Sequence, residues 1–124
     1  MCAVRGIPWR DGIVTDVRDS HQVDAALQRT TEELGTPTIV VNNAGGVFAS
    51  PLLETSENGW DALYRANLRH VLLCTQRTAR QMVSAGVGGS IISVTSIEGV
   101  CAAPGYAAYA AAKAVSSITP RPQP

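Results

Sequence analysis

Lys113 is the only lysine in the chain, and Tyr109 stands four residues before it in the alanine-rich stretch YAAYAAAK. On a helix, positions i and i+4 share one face a turn apart, so an ammonium and a phenol meet there. A cation beside a tyrosine favours the phenolate and draws its proton exchange from about pH 10 toward neutrality, which is general acid–base chemistry. Taken alone, the pair equally describes a surface lysine lying over a tyrosine. Tyr106 also precedes Lys113, but it directly follows Pro104 and Gly105 and so falls ahead of the regular helix. Tyr109 is the candidate.

Other polar residues stand where a fold of alternating strands and helices exposes them. Asp16 ends the β-branched run GIVTDV, and the segment after it offers a cap and then Val23, Ala26, Leu27 and Leu34 at helical spacing. Gly35 stops that helix, and TIVVNNAGG reads as a buried strand closed by Asn42, Asn43, Ala44 and Gly45. Trp60, Leu63, Leu68, Val71, Leu72, Thr75 and Met82 then mark a long amphipathic helix ended by Gly86, with Asn67 inside it. SIISVTS is a third buried-strand run, ending at Ser96, and a loop with glycine and proline leads to the helix of Tyr109 and Lys113. The order β-α-β-α-β-α specifies an α/β fold with a parallel sheet and helical crossovers. Ligands of such sheets bind beyond the carboxyl ends of the strands, where Asp16, the Asn-Asn-Ala-Gly turn, Ser96 and the last helix all fall. Each has a plain structural explanation by itself: a cap for Asp16, a turn for Asn42 and Asn43, a strand-end hydroxyl for Ser96, an interhelical polar contact for Asn67.

Together, Asn42 to Gly45, Asn67, Ser96 and Tyr109-x-x-x-Lys113, in this order and spacing, resemble the short-chain dehydrogenase/reductase family of the classical type. The resemblance runs from about Gly12 to Ala114. It implies a partial Rossmann-like doubly wound sheet, from the family's third strand to the helix after its fifth. It also implies NAD(P)-dependent hydride transfer between an alcohol and a carbonyl on a small-molecule substrate. Tyr109 would be the acid or base, and Lys113 would tune it and bond the nicotinamide ribose. Ser96 would hold the substrate oxygen, and Asn67 would anchor a relay water. Asp16 and Val17 would meet the adenine, while Asn43, Ala44 and Gly45 would line the cofactor cleft. No metal is implied, and intact members of the family are homo-oligomers.

The chain also departs from the family pattern. The family's glycine-rich Thr-Gly-x-x-x-Gly-x-Gly turn, which holds the cofactor pyrophosphate, has no counterpart here. The residues that separate NAD from NADP sit beside it, on the family's second strand. In the order 3-2-1-4-5-6, strands three and four are parted by the first two, so a gap is expected at the centre of the sheet. The whole of residues 1–124 reads as one partial domain, with residues 115–124, VSSITPRPQP, as an irregular tail where a shifted reading frame is one explanation. A second reading is therefore a non-catalytic remnant whose long and final helices dock on a related subunit.

Composition narrows the alternatives. Ten basic and ten acidic residues without a charge run give no footprint for nucleic acid or an acidic membrane. Three scattered cysteines suit free thiols in a reducing compartment, and no apolar span long enough for a bilayer is present, so a cytoplasmic protein is expected. His21 and His70 match no triad order and Ser96 lacks a nucleophile elbow, which sets serine hydrolysis aside. AGVGGS, ending at Ser90, has Ile91 where a phosphate-binding glycine is required and reads as helix stop and turn.

Overall fold

The computed structural model describes residues 12–101 and 103–117. Helix α1 (Ser20–Leu34) starts where the Asp19 carboxylate accepts from the backbone N–H groups of His21 and Gln22, and it closes on Gly35. Strand β1 (Ile39–Asn42) follows and pairs in parallel with β2 (Ser90–Ser93), Val40 opposite Ile91 and Asn42 opposite Ser93. Between them runs one long helical rod. Helix α2 (Glu57–Tyr64), capped by the Ser56 hydroxyl on the Gly59 N–H, passes through a π-helical turn, Arg65–Arg69, into α3 (His70–Ser84). A 3-10 turn, Ile97–Gly99, precedes α4 (Ala107–Ser117).

Burial explains which residues hold these pieces together. Val23 of α1, Leu63 of α2, Val71, Leu73 and Met82 of α3, and Ala108 and Ala112 of α4 form the core. α3 lies over β1 and against α1, while α4 crosses α2 and the π turn. Arg77 of α3 pairs with Asp24 of α1 at the edge of that packing. Helix α4 begins after Tyr106, whose carbonyl accepts from the Ala110 N–H at 2.7 Å, so Tyr106 sits at the helix entrance as its sequence position implied. Among the described residues no helix is long and apolar enough to cross a membrane.

Three expectations change. Residues 12–17 form no strand: among the described residues no other strand pairs with them to build a ladder, and Val14 is fully exposed. The two strands that do pair are covered on one face only. Asn42 is buried under α3, whereas Ile39, Val41 and Ile92 stay more than half or about half exposed on the other face. Parallel strands become fully buried when helices cover both faces, and here the described helices cover one. Finally, α4 continues through Val115 to Ser117, beyond Ala114, and the rest of the expected tail lies outside the described residues.

Candidate active site

The site residues are placed at the carboxyl ends of β1 and β2. Asn42, the last residue of β1, is 4 % exposed and uses its Nδ2 to reach Thr75 Oγ1 at 3.1 Å and Ser93 Oγ at 3.3 Å. The Val94 N–H bonds the Asn42 carbonyl at 3.0 Å, so the chain leaves both strands in step. Asn42 is thereby a brace between the two strand ends and α3.

The loop after β1 is drawn down onto the π turn. Asn67, fully buried, donates from Nδ2 to the carbonyls of Gly46 at 2.6 Å and Leu63 at 2.9 Å, and its Oδ1 accepts from the Gly46 N–H at 3.3 Å. A side chain that bonds both backbone groups of one glycine fixes where the loop runs. At Gly45 the fit is closest: a Cβ there would stand 2.8 Å from Asn67 Oδ1 and 3.7 Å from the Lys113 ammonium. Only a residue without a side chain leaves that space open. Gly45, Asn67 and Lys113, from three separate segments, thus meet at one point.

Lys113 is 5 % exposed, and its ammonium donates to the Val94 carbonyl at 2.9 Å while lying 5.8 Å from the centre of the Tyr109 ring. The i, i+4 pair therefore shares a face, as its spacing required. Burial pushes the Lys113 ammonium below its ordinary value. Val94 lies two residues before Ser96, so the same ammonium ties α4 to the segment that carries the serine. The turn Ile97–Gly99 packs directly on α4. A Cβ on Gly99 would stand 3.0 Å from the backbone at Lys113 and Ala114, an approach that again excludes a side chain.

The Ser96 hydroxyl donates to the Glu98 carboxylate. That bond holds the Glu98 carboxyl below its usual range. Asp16, Val17, Ala44 and Gly45 share an open cleft of about 450 Å³ with Thr15, Arg18, Gly46 and Ala66. Asn43 is exposed and does not line it. The Asp16 carboxylate is held by Arg18, whose side chain and backbone N–H bond it and bring its pKa to about 2. The Arg18 grip, the Glu98 contact and the double bond of Asn67 to Gly46 were not anticipated. A polar amide inside an apolar helix, and a carboxylate two residues after the serine, were the visible signals. No group of three or more possible metal ligands is found among the described residues.

Comparison with known proteins bears on the family and the fold. The family model for short chain dehydrogenase matches residues 10–119. A 3beta-hydroxysteroid dehydrogenase 2 of Eggerthella lenta is 34% identical over 111 residues, covering 88% of this chain and 43% of that protein. A 3-oxoacyl-(acyl-carrier-protein) reductase of Thermotoga maritima is 34% identical over 110 residues, covering 88% of this chain and 44% of that protein. A crystal structure of a short chain dehydrogenase from Mycobacterium smegmatis superimposes with a TM-score of 0.79 at 32% identity, over 82% of this chain and 42% of that one. The chain thus spans less than half the length of these relatives. With its motifs, its α/β fold and a family match over most of its residues, the chain belongs to the short-chain dehydrogenase/reductase family.

Proposed function

We propose that this chain carries the proton-handling part of an NAD(P)-dependent oxidoreductase site that interconverts an alcohol and a carbonyl on a small molecule. The observation that carries the reading is the meeting of Gly45, Asn67 Oδ1 and the Lys113 ammonium at one point, with the Tyr109 ring beside that ammonium.

The residues present fit part of a dinucleotide. Ala44, Gly45 and Gly46 line an open cleft that also carries the Asp16 carboxylate as an acceptor. Asp16 and Val17 would hold the adenine, Ala44 and Gly45 the middle of the cleft, and Tyr109 and Lys113 the nicotinamide ribose. A nicotinamide held there would supply the hydride acceptor and donor for the alcohol and carbonyl carbon. Tyr109 takes the hydroxyl proton during oxidation and gives it back during reduction. Lys113 keeps its positive charge beside the phenol, fixed by the Val94 carbonyl. Ser96 exchanges Glu98 for the substrate oxygen and donates to it as charge develops there. Asn67 anchors a relay water and pins Gly46, which keeps the cleft open at that side.

A second reading, a subunit-interaction module without catalysis, rests on the apolar side chains that α2 and α3 leave in solvent: Trp60, Tyr64, Leu72 and Val83. Turnover separates the two. The oxidoreductase reading expects NAD(P)H formation from a panel of secondary alcohols, even if slow, and a drop of about 100-fold or more in Tyr109→Phe. Turnover that Tyr109→Phe leaves unchanged contradicts the assigned role of the phenol.

A further inference from the structure

The Asp16 carboxylate is fully engaged by a single neighbour. Its Oδ1 accepts from the Arg18 backbone N–H at 3.0 Å and from Arg18 Nε at 2.9 Å, while its Oδ2 accepts from Nη2 at 2.7 Å and from the same Nε at 3.2 Å. A carboxylate offers about four acceptor positions, two on each oxygen, so one arginine takes them all. The backbone of Asp16 is held by other residues: its N–H donates to Gln22 Oε1 at 2.8 Å, and its carbonyl accepts from the Asp19 N–H at 3.0 Å. The Arg18 side chain therefore acts on the carboxylate alone. Both residues line the open cleft of about 450 Å³ together with Ala44, Gly45 and Gly46, so a ligand entering there meets the ion pair and not a free carboxylate.

The geometry points to Arg18 as a specificity-determining residue for the purine end of the cofactor: by occupying the Asp16 carboxylate, it blunts selection for the purine amino group. This rests on the oxidoreductase reading, in which Asp16 holds the adenine. An adenine amino group reaches Asp16 only by taking the place of an Arg18 side-chain N–H, and the released guanidinium returns to water. One bond is exchanged for another. Against a free carboxylate, a single amino donor is worth on the order of tenfold in affinity. Here a bidentate, charge-assisted contact is given up to make a bond from a neutral donor, so little of that gain remains. The exchange itself is open to the ligand, because the Arg18 and Asp16 side chains are 59% and 38% exposed and an accessible pair of this kind is held only weakly. Arg18 thus leaves the cleft usable and makes it tolerant of the base.

The test compares NADH with reduced nicotinamide hypoxanthine dinucleotide, which has an oxygen in place of the purine amino group and the same phosphates, riboses and charge. Amide shifts of the isotope-labelled full chain are followed by NMR at pH 7.5 as each is titrated. The wild-type chain is expected to bind the two with Kd values within about twofold of each other. In Arg18→Ala, NADH should bind at least about fivefold more tightly than the hypoxanthine compound, and Arg18→Lys, which keeps the charge without the fork, should fall between. Adding Asp16→Asn to Arg18→Ala should remove the preference again. A wild-type chain that already favours NADH by about fivefold or more overturns the assignment, as does a preference in Arg18→Ala that survives Asp16→Asn. Saturable binding of both dinucleotides at a ratio that Arg18→Ala leaves unchanged defeats this inference alone. Binding of neither, by the wild-type chain or the variants, defeats the oxidoreductase reading and this inference with it.

Discussion

His70 is 2 % exposed, and neither of its ring nitrogens has a hydrogen-bond partner among the described residues. Burial is the main reason its pKa falls below the ordinary 6.5, and the Lys113 charge adds to the fall. Protonating His70 in the fold is therefore harder than in the unfolded chain. Between the lowered folded value and 6.5 the unfolded chain binds more protons, so stability rises with pH through that window and levels off above it. The carboxyl groups with lowered values, Asp16, Asp19, Asp24 and Glu98, titrate below their ordinary 3.8 to 4.5 and act outside the window. Denaturant unfolding measured from pH 5 to 8 should show this rise, and His70→Gln should flatten it. An unchanged slope in the variant would place the titrating group elsewhere.

The elements meet through Asn67, which fastens the loop after β1 to the π turn between α2 and α3. Asn67→Ala removes the bonds to the Gly46 backbone and to the carbonyl of the buried Leu63, and a loss of about 1 to 3 kcal/mol is expected from denaturant unfolding. Asn67→Asp keeps the acceptor for the Gly46 N–H but loses both donated bonds, so it should remain destabilised. A loss below about 0.5 kcal/mol in Asn67→Ala would mean that the loop is held by other contacts. The role of Asn67 as a loop anchor was hidden because sequence periodicity reports a helix and its apolar face, whereas a π turn depends on which carbonyls the side chain takes. A helix cap in the segment after Asp16, the Gly35 stop and the Tyr109–Lys113 face were readable because each is fixed by local spacing. The strand expected over residues 12–17 failed for the opposite reason. A β-branched run becomes a strand only when another strand completes its ladder, and that partner is not written in the run itself.

For the whole molecule, two paired strands with one face bare to solvent and an open cleft at their carboxyl ends describe part of a doubly wound sheet. Ligand that binds only the folded chain raises its stability in proportion to the logarithm of concentration over Kd. The cleft residues fit the ends of a dinucleotide better than its centre, so weak affinity is expected. The most direct measurement is thermal unfolding of the full chain across a titration of NADH and of NADPH, repeated with Lys113→Met. A saturable upward shift with one of them is expected, with a Kd on the order of 1 mM, and Lys113→Met should reduce it. No shift with either cofactor up to about 10 mM, or a shift that Lys113→Met leaves intact, would contradict it.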